Sequence, residues 1–363
     1  MPEGGGLPDG PGAWPPRARW PEPLHRAVTS VRAALEGRSR PLVALSGGAD
    51  SLALAVATAE ARRTGTSPAE GAGAVVVDHG LQPGSAAVAG RAAGIARRLG
   101  LDPVTVERVD VLGTGAGPEA DARTARYAAL RAAAYRAGSQ AVLLAHTRDD
   151  QAEQVLLGLA RGSGTRSLAG MPASRGLLVR PLLGLARQDT EAICRWAGIR
   201  WWQDPANADP AFLRSRVRTR VMPLLEDPVA GIGPGLAAAL ARSAEIAAED
   251  ADALEQWSRR EYDRLADTAT AEPSSERGIG HVSLPVEDLA ALPTAVRLRV
   301  IGLAVVAAGG ERPSRERVLA VERLVATRSV GGGSAGPVEL AGGVTARRHR
   351  EAGCARLVLD AGR

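Results

Sequence analysis

The chain has 363 residues, enough for two domains that each bury a core, and 45% of them are hydrophobic while only 3% are aromatic. Its cores must therefore be built from Ala, Val and Leu. The net charge of +5 suits a polyanionic partner, and all 45 basic residues are arginine, which excludes a Walker-type phosphate lysine or a lysine Schiff base.

Residues 1–23 are Pro/Gly-rich without an apolar signal core and are read as a disordered tail. A helix over 25–36 leads to the buried strand PLVAL at 41–45, which breaks into SGGADS (46–51) and then an alanine-rich helix. A strand at 74–77 ends at Asp78-His79, and a helix over 85–99 leads to a third strand near 103–109. A long helix runs from Pro118 to Gly138, and a fourth strand at 141–145 ends at His146-Thr147. Short buried strands alternating with helices predict a doubly wound parallel α/β sheet. The polar clusters Ser46–Ser51, Asp78-His79 and His146–Glu153 all fall at carboxyl ends of strands, where such sheets bind ligands.

The texture changes at VMPLLEDPVAGIGPG (221–235), and the domain boundary is placed near 228. Beyond it the pattern predicts a mainly helical second domain: a long helix over 235–266, a disordered stretch over 267–280, helices at 286–308 and 314–327, and a small terminal hairpin. The two cysteines, Cys194 and Cys354, form no CxxC pair, which argues against a zinc site, an iron–sulfur cluster or a disulfide framework and fits the cytoplasm. No run approaches the ~20 apolar residues that cross a bilayer.

Two adjacent glycines before a helix let backbone amides point at an anion, and Ser46 and Ser51 can donate hydroxyls. As bare spacing this is also an ordinary strand–helix turn with capping side chains. Glu119, Arg123 and Arg126 share a helix face, and their spacing alone favours a solvated Glu–Arg ladder. Asp150 caps or complements the dipole of its helix, but Glu153 one turn on is costly without a cation. His146 is as consistent with a structural histidine as with a ligand contact. Arg214 and Arg218 share one helical face, Arg216 and Arg220 another.

SGGADS after a strand resembles the signature of the PP-loop ATP pyrophosphatases, an adenine-nucleotide α-hydrolase-like fold. VDHGLQPGSA (77–86), PEADARTARYAAL (118–130), LLAHTRDDQAEQVLLGLARGSG (143–164), MPASRGLLVRPLL (171–183) and DPANADPAFLRSRVRTRVMPLL (204–225) follow in order and are similar to the tRNA(Ile)-lysidine synthetases. That resemblance implies an ATP-dependent carbon–nitrogen ligase acting on the wobble cytidine of the CAU-anticodon isoleucine tRNA. The C2 oxygen is adenylated, pyrophosphate leaves, and the ε-amine of free L-lysine displaces AMP.

The resemblance implies ATP contacts at Ser46, Gly47, Gly48, Ala49, Asp50, Ser51, Asp78, Arg126 and His146. It implies Mg²⁺ on Asp50, which would otherwise repel phosphate. Asp150 and Glu153 become the cradle of the substrate lysine, and Arg218 faces phosphate charge; Asp50, Asp150 and Arg218 carry catalysis. Thr147, Gln154 and Ser215 depart from the family pattern. The second domain, with Arg297, Arg299, Arg312, Arg315, Arg347, Arg348 and Arg350, is the expected tRNA clamp, and a homodimer is left open. Two alternatives remain: another PP-loop enzyme (tRNA thiolation or small-molecule amidation), and a non-catalytic RNA-binding protein.

Overall fold

A computed structural model describes residues 19–64, 71–78, 80, 84–109, 117–162, 164–268, 280–326, 336–351 and 353–362, the side chains of 118, 119, 267, 268 and 351 excepted. It divides into two units, one up to Ala248 and one from Glu249 onward. Among the described residues no helix is long and apolar enough to cross a membrane.

The first unit runs α1 (Glu22–Ala34), β1 (Leu42–Leu45), α2 (Ala49–Arg63), β2 (Gly73–Asp78), α3 (Ser85–Arg98), β3 (Val104–Arg108), α4 (Pro118–Arg136), β4 (Val142–Leu143), α5 (Arg148–Ala160), α6 (Thr165–Leu168), β5 (Ser174–Arg175), β6 (Leu178–Val179) and α7 (Arg187–Trp196). After a 3₁₀ turn at Pro205–Ala208, α8 (Leu213–Arg216) passes through one π-helical turn, Val217–Val221, into α9 (Met222–Glu226). The sheet order is β3-β2-β1-β4-β6-β5. All neighbours pair in parallel except β5 with β6.

Alternation along β1 fixes two faces. Val43 and Leu45 pack with α1, α2, α3 and α7, whereas Leu42 and Ala44 pack with Leu130, Ala133 and Ala134 of α4. The doubly wound expectation therefore holds. The strand order reverses between β1 and β4, so the turns after those two strands flank the crevice where such sheets take ligands.

Residues 19–23 do not belong to the expected disordered tail. Residues 1–18 lie outside the described residues, but Trp20 is buried in the main core and α1 opens at Glu22. The expected boundary also moves. The Pro/Gly break near 228 is a turn inside the first unit: Asp227 accepts from the amides of Val229 and Ala230, and Ile232 N donates to Leu225 O at 2.7 Å. Gly231 is needed there, because a Cβ would lie 2.1 Å from Leu224 O. The division falls instead within α10 (Leu236–Leu265), whose Ala237 packs with Val217 and Met222 while Leu254 and Leu265 join the second core.

The second unit continues with β7 (Asp267–Thr268), β8 (His281–Pro285), α11 (Val286–Ala291), α12 (Thr294–Ala307), α13 (Arg315–Ala326), β9 (Val338–Leu340), β10 (Val344–Glu351) and β11 (Cys354–Ala361). The expected hairpin is β10–β11, and it sits inside a five-stranded sheet, β7-β8-β11-β10-β9, rather than standing alone. Residues 269–279 of the expected disordered stretch lie outside the described residues.

Candidate active site

The loop after β1 is built as the sequence suggests. Gly47 sits at φ +82°, where a side chain is strained, and a Cβ would meet Val88 Cγ1 at 3.1 Å. Ser51 Oγ donates to Gly48 O at 3.0 Å and accepts from Ser46 N at 3.2 Å, which closes the turn. Gly47 O accepts from Trp202 N at 2.9 Å. Helix α2 begins at Ala49, so its first-turn amides have no intrahelical acceptor and face the crevice end of the sheet.

Asp50 lies in that first turn. Its Oδ1 accepts from Thr190 Oγ1 at 2.5 Å, and its Oδ2 is 3.7 Å from Arg187 Nε. Burial pushes its carboxyl up to about 6, against the Thr190 hydrogen bond and the Arg187 charge, which pull it down.

Across the crevice, Thr147 caps α5. Its amide and hydroxyl both donate to Asp150 Oδ2, at 2.8 and 3.1 Å, and Asp150 N returns a bond of 3.4 Å to Thr147 Oγ1. This capping box explains threonine at 147 on local grounds. It leaves Asp150 Oδ1 to meet three guanidiniums: Arg218 Nη2 at 2.9 Å, Arg214 Nη2 at 3.1 Å and Arg187 Nη2 at 3.2 Å. Glu153, 1% exposed, binds Arg218 Nε at 2.7 Å and Arg214 Nε at 2.9 Å, with Arg187 Nη2 at 3.7 Å.

With Asp50, the centre thus sets three carboxylates against three guanidiniums. Burial alone would raise Asp150, but Arg214, Arg187 and Arg218 more than reverse it and hold the acid below the ordinary carboxylate range. For Arg218, burial opposes the charge, but the bond to Glu153 wins and holds it above the usual arginine value.

The π turn sets the geometry. Arg214 and Arg218 share one face as expected, and the widened turn carries Arg218. Ser215 Oγ donates to Ala206 O at 3.2 Å, tying this segment to the turn capped by Asp204, whose Oδ1 accepts from Ala206 N at 2.9 Å.

The cost of two neighbouring buried acids is met differently from the sequence argument. The compensating cations belong to the chain, and Arg218 lies on the acid pair. Sequence reasoning missed Arg187 and Thr190 altogether. They come from the start of α7, and Thr190 is 140 positions from the aspartate it binds.

The remaining nominated residues lie on the β2 and β4 sides. Asp78, buried at the end of β2, accepts from Gly80 N at 3.0 Å; His79 lies outside the described residues. His146 follows β4, and burial drives its imidazole down to about 3, so the ring is neutral. Arg126 is half-buried on α4 and makes no ion pair among the described residues; burial lowers it. Arg123 donates to Tyr127 Oη at 3.3 Å.

Cys194 is fully buried, its thiol 3.3 Å from Ala49 O, and burial pushes it up to about 12. It is an inert thiol. Among the described residues no cluster of three or more His, Cys, Asp or Glu could hold a metal. A single acid beside a phosphate loop does fit Mg²⁺, which binds through one or two carboxylates plus substrate phosphates. In the second unit, Arg297 binds Glu322 at 2.8 Å and Arg348 donates to Leu324 O at 3.1 Å. Arg315 and Arg350 are exposed.

Comparisons with known proteins agree with this architecture. Residues 22–225 match the PP-loop domain family. The chain is 53% identical over 286 residues to a tRNA(Ile)-lysidine synthase of Leifsonia xyli, covering 78% of this chain and 81% of that one. It is 47% identical over 312 residues to the protein of the same name from Thermobifida fusca, covering 84% and 90%. Among solved structures, a U34-tRNA thiolase from Methanococcus maripaludis aligns with a TM-score of 0.50 at 18% identity, over 62% of this chain and 80% of that one, a likeness of fold alone.

Proposed function

This chain belongs to the PP-loop tRNA(Ile)-lysidine synthases, and we propose that it ligates free L-lysine to C2 of the wobble cytidine of the CAU-anticodon isoleucine tRNA, at the expense of ATP, in the cytoplasm. The observation that carries the reading is the acid–arginine centre at the β1/β4 switch point, joined to the turn after β1 by Arg187 and Asp50.

In this reading the amides at the start of α2 and the hydroxyls of Ser46 and Ser51 hold the pyrophosphate end of ATP, and Asp50 holds Mg²⁺. A bound Mg²⁺ supplies charge neutralisation at the phosphates. The cytidine C2 oxygen attacks the α-phosphorus, the bond to the β-phosphate oxygen breaks, and pyrophosphate leaves. The ε-ammonium of lysine gives a proton to solvent, the neutral amine attacks C2, and AMP departs with the C2 oxygen.

Asp150 and Glu153 receive the lysine side chain within their ring of guanidiniums. Because Asp150 is held low, it takes a proton poorly, so its part is to orient the substrate rather than to act as base. Arg126 and the neutral His146 line the nucleotide side. Catalysis is then mostly positioning and charge neutralisation in a preorganised site. The exposed arginines of the second unit, Arg315 and Arg350 among them, are offered to tRNA phosphates.

The test incubates the protein with a CAU-anticodon isoleucine tRNA transcript, ATP, Mg²⁺ and labelled lysine. Label in the tRNA with one AMP per lysine is expected. No lysine transfer, with another nucleophile labelled instead, would replace this reading by a different PP-loop reaction.

A further inference from the structure

Arg180 follows β6 at the carboxyl end of the sheet and is only 7% exposed. One of its nitrogens, Nη1, donates to Pro172 O at 2.8 Å, and the side chain bonds Tyr127. Its Nε is buried with no hydrogen-bond partner. The Nδ1 of His146, beyond the neighbouring strand β4, is orphaned in the same way. Strand β6 pairs with β4, Leu143 beside Val179, and Leu144 N donates to Val179 O at 2.8 Å, so Arg180 and His146 leave the same end of adjacent strands. Tyr127, next to Arg126 on α4, packs against the cluster that holds Leu178 of β6, and the charges of Arg180 and Arg126 both act on His146.

The balance of charge there differs from that of the acid–arginine centre. Among the described residues none of Arg123, Arg126, Arg175 and Arg180 forms a salt bridge. The charge of Arg123 bears on both Arg126 and Arg180, and that of Arg175 on Arg180. A guanidinium buried without a carboxylate is costly, and an unmade bond on it adds to that cost. A phosphate oxygen answers both terms at once, since a guanidinium fork matches it in charge and geometry.

We propose that Arg180, together with Arg126 and the Nδ1 edge of His146, forms a phosphate seat on the β4–β6 side of the acid pair, separate from the loop after β1. The ligand is a phosphate group, carried either by ATP or by the backbone of the tRNA next to the wobble nucleotide. The inference rests on the proposed function for its choice of substrates, but its test reads binding rather than lysine transfer. Failure to transfer lysine would leave the binding results standing.

The full-length Arg180→Gln variant is compared with wild type in two titrations, ATP or inorganic pyrophosphate in one and the tRNA transcript over a salt series in the other. A rise of at least tenfold in the ATP or pyrophosphate Kd, with tRNA binding kept, supports the seat and assigns it to the nucleotide. A tenfold loss of tRNA affinity, with a log–log salt slope shallower by about one, supports it and assigns it to the tRNA backbone. Changes under twofold in both, in a folded protein, overturn it and leave Arg180 as a tie to Pro172 and Tyr127. Should Arg180→Gln fail to fold, Arg180→Lys decides. The point charge without the fork is expected to weaken one ligand three- to tenfold, and wild-type affinity for both overturns the proposal.

Discussion

The two flanks of the β4 crevice handle buried charge in opposite ways. On the β1 side, Asp50, Asp150 and Glu153 are met one for one by Arg187, Arg214 and Arg218. On the β6 side, Arg126 and Arg180 have no acid against them among the described residues, and two buried nitrogens are unmatched. A neutral, bonded centre is stable as it stands, and it suits a substrate that brings a cation and must share existing acids. An uncompensated positive flank is favourable only with an anion in place. The difference separates a site for an amine from a site for phosphate within one fold.

The largest break in that comparison comes from Asp50→Asn. It removes the acid nearest the phosphate loop, and adenylation measured by AMP formation is expected to fall by about 100-fold or more, on the scale of losing one electrostatic contact in a closed site. tRNA binding in a filter assay should stay within twofold. The same acid governs pH. Below about 6 Asp50 is protonated and neutral, so kcat/KM for ATP should fall about tenfold per pH unit on that side. His146, at about 3, is already neutral there, so His146→Gln should leave the limb in place. The stability contribution of Asp50 runs the opposite way: present below 3.8, it is lost as the pH rises through about 6, because the folded form holds the proton more tightly.

Much of the β1 flank was legible in the sequence because its parts are local. SGGADS is contiguous, Asp150 and Glu153 are one turn apart, and Arg214 and Arg218 follow helical spacing. Arg187 and Thr190 were not legible. Their helix reads RQDTEAICRW, and nothing in that stretch announces that its first turn meets an acid 140 positions earlier. Arg180 hides for the same reason: only the pairing of β6 with β4 brings it toward His146. In the second unit, the single helix expected at 286–308 is two, α11 and α12, parted at Leu292-Pro293, where a proline cannot continue a helix, while the five-residue β8 is defined by its partner β11.

Smaller effects sharpen the account. Thr147→Ala removes the cap that aims Asp150, and should cost about 1 kcal/mol of stability, or ~2–4 °C in Tm by thermal melt, with a modest rise in the KM for lysine. Cys194→Ala should cost about 1 kcal/mol of packing while product formation stays within twofold, since a buried, protonated thiol has no part in the chemistry. A large loss of product in Cys194→Ala would move the enzyme toward sulfur chemistry.

The most direct measurement is steady-state kinetics of Asp150→Asn with lysine and ATP varied separately. Asparagine keeps the cap acceptor but removes the charge shared by Arg187, Arg214 and Arg218. The account predicts a KM for lysine raised by at least tenfold while the KM for ATP moves less than twofold. Equal rises in both would contradict a lysine-receiving acid pair and make Asp150 a structural anchor of the arginines alone.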